Sequence, residues 1–63
     1  MTPLTVSVPE AAGLLGLSRS STYEAVRRGD IPSIRIGVRI LVPIRRLEEM
    51  IDAAAASQQV HHD

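Results

Sequence analysis

The sequence contains no cysteine, no lysine, no tryptophan and no phenylalanine, and Tyr23 is its only aromatic residue. Without cysteine there is neither a disulfide staple nor a thiolate metal site, so the fold must rest on its apolar core. No apolar run approaches the roughly 18 residues of a membrane span. The first residues also lack the charged start and long apolar stretch of a secretion signal, so a cytoplasmic location is expected. Formal charge is zero overall, which on its face argues against a polyanionic partner. The average hides a segregation. All seven arginines lie between positions 19 and 46, where they face two acids, Glu24 and Asp30, a net charge of +5. Glu10 precedes this stretch, and Glu48, Glu49, Asp52 and Asp63 follow it. A basic centre with acidic ends is the first functional clue.

With 63 residues the chain has room for one small domain and none for a large enclosed active site or an effector domain. Leu4, Val6 and Val8 alternate with hydroxyl residues, the period of a short strand or extended lead-in. Ser7 and Glu10 then have capping-box spacing, Pro9 falls in a first turn, and Ala11, Ala12, Leu14 and Leu15 follow at helical spacing. A helix is expected over Val8–Leu15, ended by Gly16. Ser18 is an N-cap candidate one residue beyond Leu17, so a second helix, Arg19–Arg28, begins after a very short turn and stops at Gly29. Its apolar stripe is Thr22, Ala25 and Val26, and its other face is Arg19, Ser20, Tyr23, Glu24 and Arg27.

From Ser33 the period changes from 3.6 to two. A three-residue loop, Gly37-Val38-Arg39, predicts a hairpin with Ile34, Ile36, Ile40 and Val42 on one face, Arg35 and Leu41 on the other, and Val38 and Arg39 at the tip. Pro43 is expected to open a third helix, in which Ile44, Leu47, Met50, Ile51 and Ala54 form the apolar stripe and Glu48, Glu49 and Asp52 face outward. That helix is expected to fade after Ala56, making 1–56 the folded domain and 57–63 a disordered tail.

The fold class is therefore mainly α with a little β: a small winged helix-turn-helix with a two-stranded wing and a C-terminal third helix. The residues Leu4–Ala12, Gly16-Leu17-Ser18-Arg19-Ser20, Tyr23, Arg28–Pro32, Arg35-Ile36-Gly37 and Leu47-Glu48 resemble, in order and spacing, the excisionase family. Those are small winged-helix proteins allied to MerR-type and AlpA-like DNA-binding domains. The resemblance covers about residues 4 to 52. It departs from the family pattern at Ala25, where a larger aliphatic is usual, at Leu41, where a basic residue is common, and at Glu24, an acid on the DNA-facing side.

A winged-helix reading assigns the recognition helix Arg19, Ser20, Ser21, Tyr23, Glu24, Arg27 and Arg28, and the wing Arg35, Val38 and Arg39. Arginine suits this role because its planar fork matches phosphates and guanine edges. Arg19 and Ser20 are expected near bases or phosphates at the helix start, Arg27 and Arg28 on the backbone, and Arg39 in the neighbouring minor groove. Glu24 either accepts from a cytosine amino group or pairs with Arg28 one turn on, the pair being the expectation. Tyr23 stays open between the DNA surface and the edge of the core. Arg45 with Glu48, or Arg46 with Glu49, is expected to pair at i,i+3. His61 and His62 lack partners for a metal site. No catalytic triad, carboxylate pair or phosphate-binding glycine loop is present, so neither catalysis nor a cofactor is expected.

The resemblance implies a DNA-binding, DNA-bending recombination directionality factor. Its partners would be double-stranded DNA, neighbouring copies of itself and the integrase of a phage or mobile element. A small AlpA- or MerR-type transcriptional regulator is the nearest alternative, disfavoured by the lack of room for an effector domain. A protein-interaction module docking through the third helix is the alternative of another class.

Overall fold

The computed structural model describes residues 2–59. Strand β1 (Thr5–Ser7) leads directly into helix α1 (Val8–Leu15), and helix α2 (Arg19–Arg28) follows. Strands β2 (Ile34–Ile36) and β3 (Arg39–Pro43) form the wing, and helix α3 (Ile44–Gln59) follows. The three strands make one antiparallel sheet in the order β1-β3-β2. The winged helix-turn-helix class holds, with one addition. The expected lead-in is a third strand paired with the wing, Val6 opposite Val42, and the backbone N–H of Ile44 donates to the carbonyl of Leu4 at 3.0 Å.

Local chemistry sets the helix ends. At α1 the Ser7 hydroxyl accepts from the backbone N–H of Glu10 (3.2 Å), while the Glu10 carboxylate accepts from that of Ser7 (2.9 Å). This reciprocal box satisfies two of the helix's orphan donors. Gly16 and Gly29, at φ +72° and +85°, terminate α1 and α2 in the left-handed conformation that costs glycine least. After each, the chain folds back in the same way. Leu17 N–H reaches the Ala12 carbonyl at 3.0 Å, and Asp30 N–H reaches that of Ala25 at 2.9 Å, the six-to-one bond of a Schellman motif.

Val8, Ala11, Ala25, Ile31, Val42 and Leu47 form the core, with Val6, Leu15, Val26, Ile40 and Met50 packed around it. Ile31, which the sequence reading treats only as part of a turn, is 3% exposed and belongs to this core. Thr22 is fully buried, its hydroxyl donating to the Ser18 carbonyl at 2.8 Å. A buried donor must find such an acceptor.

The wing corrects the expected register. Ile36 pairs with Arg39, Arg35 with Ile40 and Ile34 with Leu41, so the loop is the two residues Gly37-Val38. Gly37 takes φ +63° and, among the described residues, no non-glycine residue has a positive φ, the pattern of a type II′ turn, whose twist matches that of the flanking strands. Arg39 is accordingly the first residue of β3 and does not sit at the tip. Alternation then puts Arg35, Ile40 and Val42 on the face shared with Val6. Ile34, Ile36, Arg39 and Leu41 lie on the other, where Ile34 and Ile36 are 43% and 60% exposed. A domain of this size cannot bury all four aliphatics of the wing beneath two short helices, and β1 supplies Val6 to the inner face instead.

Pro43 ends β3, so α3 starts one residue later than expected, and it continues past Ala56 to Gln59. Its first turns are anchored by buried Leu47 and half-buried Ile44 and Met50, whereas 51–57 are exposed. Positions 60–63, with the expected tail residues His61 and His62, lie outside the described residues. Among the described residues, no helix is long and apolar enough to cross a membrane, and no cluster of His, Asp or Glu has the makings of a metal site.

Candidate nucleic-acid interface

The three-residue turn Gly16-Leu17-Ser18 sets α2 across α1, and Ser18 starts the second helix. Its hydroxyl accepts from the Ser21 backbone N–H at 3.1 Å and lies 3.0 Å from the Ser21 hydroxyl. Ser21 is thus drawn into the cap, while Ser20 remains an exposed hydroxyl beside Arg19. With Thr22 and Ala25 buried and Val26 half-buried, the 100° step of the helix directs Ser20, Glu24 and Arg27 away from the core. Tyr23, 44% exposed, flanks them. This exposed face is the one anticipated from the sequence, and the aromatic ring contributes to it.

The charges on that face are partly self-paired, and the partners differ from those expected. Arg27 donates from Nη2 to Oε2 of Glu24 at 3.1 Å, an i,i+3 pair with both side chains more than half exposed. Arg28 turns to the loop and donates from Nε and Nη2 to Oδ2 of Asp30, each at 3.0 Å. The expected Glu24–Arg28 pair is therefore replaced by two others, because Asp30, brought back by the Schellman turn, captures Arg28. Both new pairs are solvated and contribute little to stability. Neither Arg45–Glu48 nor Arg46–Glu49 forms. Among the described residues Arg19, Arg35, Arg39, Arg45 and Arg46 enter no ion pair within 4 Å, which leaves their charge available to an external anion.

The wing stands next to α2, and between them runs an open groove of about 390 Å³. Tyr23, Val26 and Arg27 of α2, Ser33 of the connection, Ile34 and Arg35 of β2 and Ile40 of β3 line it. The corrected register is what brings Arg35 here. On the outer face of the sheet it would have pointed away from α2. Ser33 was not among the residues singled out from the sequence, since a lone serine in a turn carries no spacing signal.

At the tip Val38 is 97% exposed. Arg39 lies instead toward the start of α1, where, after the hydrogen bonds from Ser7, its charge is the smallest of the causes that hold the Glu10 carboxyl below the ordinary glutamate range. The larger causes of that lowering are the bonds Glu10 accepts from the Ser7 backbone and then from its side chain. The sequence-selected residues thus fall into three groups: an outward helix face, a groove shared by helix and wing, and Arg39 on the far side of the sheet. A second, almost wholly apolar groove lies beside α3, lined by Leu15, Leu17, Ile31, Met50, Ile51 and Ala54 among others.

No curated protein and no solved structure matches the chain significantly. The family model described as "Helix-turn-helix domain" matches residues 5–55, from the first strand through both crossed helices and the wing into α3. Domains of this kind are typically non-catalytic and bind double-stranded DNA. That match covers most of the 63 residues, and by it the chain belongs to the helix-turn-helix domain family of small DNA-binding proteins.

Proposed function

We propose that the protein is a non-catalytic, DNA-bending excisionase. It binds attachment-site DNA cooperatively and directs the integrase of a phage or mobile element toward excision. The observation that carries this reading is the meeting of two arginine-bearing elements, α2 and the wing, at one groove, combined with the motif resemblance that runs along most of the chain. In it α2 enters the major groove with Arg19, Ser20, Ser21 and Glu24 toward the bases, and Tyr23 lies one turn on, beside the backbone. Arg27 and Arg28 hold the backbone, and the wing follows the strand through Arg35, with exposed Val38 at its tip toward the minor groove. Smooth bending of a short site costs about 1–6 kcal/mol, which phosphate neutralisation repeated along one face can offset.

Several copies side by side supply that repetition. The exposed acids Glu48, Glu49 and Asp52 on α3 complement the basic face of a neighbour in a head-to-tail row. Cooperative binding that survives their joint replacement by alanine would remove this contact from the proposal.

The apolar groove beside α3 favours a second reading, docking of a protein partner there. Circularly permuted attachment-site probes and an unrelated promoter fragment, run in a gel at two salt concentrations, separate these possibilities. Stepwise, bent, salt-sensitive complexes confined to the attachment-site arms are expected. A single unbent complex on the promoter favours an AlpA- or MerR-like regulator, and no complex at low salt leaves only the protein-docking reading.

A further inference from the structure

We infer that the groove between α2 and the wing is a seat for one sugar–phosphate unit of the DNA strand that runs between the major and minor grooves, with Ser33 and Arg35 as its wing-side ligands. The inference rests on the DNA-binding reading and goes beyond it by assigning one phosphate to four named side chains. Arg27 and Arg35, which carry guanidinium groups, and Tyr23 and Ser33, which carry hydroxyls, line the same space as the aliphatic Val26, Ile34 and Ile40. Cations and hydroxyl donors beside aliphatic side chains match a phosphodiester attached to a deoxyribose: the anion takes the donors, and the sugar carbons cover the aliphatic surface. At about 390 Å³ the groove falls within the size range of small-ligand sites.

The register of the wing decides the matter. Arg35 stands opposite Ile40, on the helix-facing side of the sheet, and enters no ion pair among the described residues. Arg27 commits one nitrogen to Glu24, a contact that fixes its position while other guanidinium donors stay free. One element on each side thus grips a single strand, which fixes how far the wing sits from the recognition helix along the DNA. These four side chains position the protein and read no base.

The test uses a 20-base-pair duplex that the full chain selects from a random pool. Its phosphates are then replaced one at a time by uncharged methylphosphonate. With the wild-type protein, neutralising one phosphate per bound copy is expected to weaken binding about tenfold, the value of a lost charge-assisted hydrogen bond. Arg35→Gln and Ser33→Ala, both at exposed positions, are expected to bind more weakly and to lose most of their sensitivity to that one phosphate, while keeping it elsewhere. If their losses simply multiply with that of every methylphosphonate, no single phosphate is seated there and the inference fails while DNA binding stands. Failure of the wild type to select any duplex overturns the DNA-binding reading itself. A titration with inorganic phosphate alone distinguishes the remaining source. Saturable shifts at Ser33 and Arg35 that duplex DNA does not displace would make the groove a free-anion site and overturn the inference.

Discussion

Replacing Ser18 by alanine separates the folding of the recognition helix from its use. The substitution removes the 3.1 Å bond to the Ser21 N–H and leaves intact the bonds that Thr22 makes to the Ser18 carbonyl. The Ser21 hydroxyl also loses its partner but is exposed, so water replaces it at little cost. Loss of an N-cap costs about 1 kcal/mol, within a range of about 0.5–2. Against a total stability of about 3–9 kcal/mol for a domain of this length, that is a tenth to a third. In a domain this small it lowers the melting temperature by about 4–8 °C, read by circular dichroism. Ser18→Asp restores the cap and favours the helix dipole, so its melting temperature should return to within about 2 °C of wild type. The added carboxylate nevertheless faces the DNA backbone at the helix start and should weaken duplex binding about fivefold, the effect of one unscreened like charge near 4 Å in water. If Ser18→Ala melts with the wild type, or if Ser18→Asp binds DNA undiminished, the capped end of α2 is not where this account puts it.

Three further outcomes follow from particular residues. The folded pKa of Glu10 lies below its ordinary value, chiefly through the Ser7 backbone bond. Its contribution is therefore complete above the ordinary glutamate range and lost as pH falls through the lower folded value; the urea midpoints of wild type and Glu10→Gln should differ near neutrality and converge in acid. Glu24→Ala deletes a solvated ion pair and should change stability by no more than about 0.5 kcal/mol. It also removes an anion from the DNA-facing side, so affinity for unrelated duplexes, measured by anisotropy, should rise. Gly37→Ala meets open space around the new Cβ but keeps φ +63°, so backbone strain of about 1–2 kcal/mol should appear as a lower urea midpoint. An unchanged midpoint would refute the type II′ turn.

Helix bounds were legible because their signals are local. Ser7, Glu10, Gly16, Ser18 and Gly29 lie within a few residues of the groups they satisfy, and α1 and α2 fall where those signals put them. Register was not legible. Placing four aliphatics on one face favoured a three-residue loop, whereas the turn preference of Gly37 and the pairing of Val6 with Val42, 36 positions apart in sequence, favoured two. Only the second is available to a chain that folds β1 onto β3. The partner of Glu24 was equally hidden, because solvated pairs at i+3 and i+4 differ by fractions of a kcal/mol and Asp30 reaches Arg28 only once the turn after α2 has formed. The same register decided the site: an outward Arg35 would leave α2 and the wing as separate basic patches, whereas the inward one makes them a single groove.

The salt dependence of duplex binding tests the central claim most directly. If the α2–wing face contacts about three to five phosphates, affinity should fall about 40- to 500-fold between 50 and 200 mM monovalent salt. Arg35→Gln should make that dependence shallower by about one phosphate. Affinity that is flat across this range, or a slope that Arg35→Gln leaves unchanged, would contradict a DNA interface built from the recognition helix and the wing together.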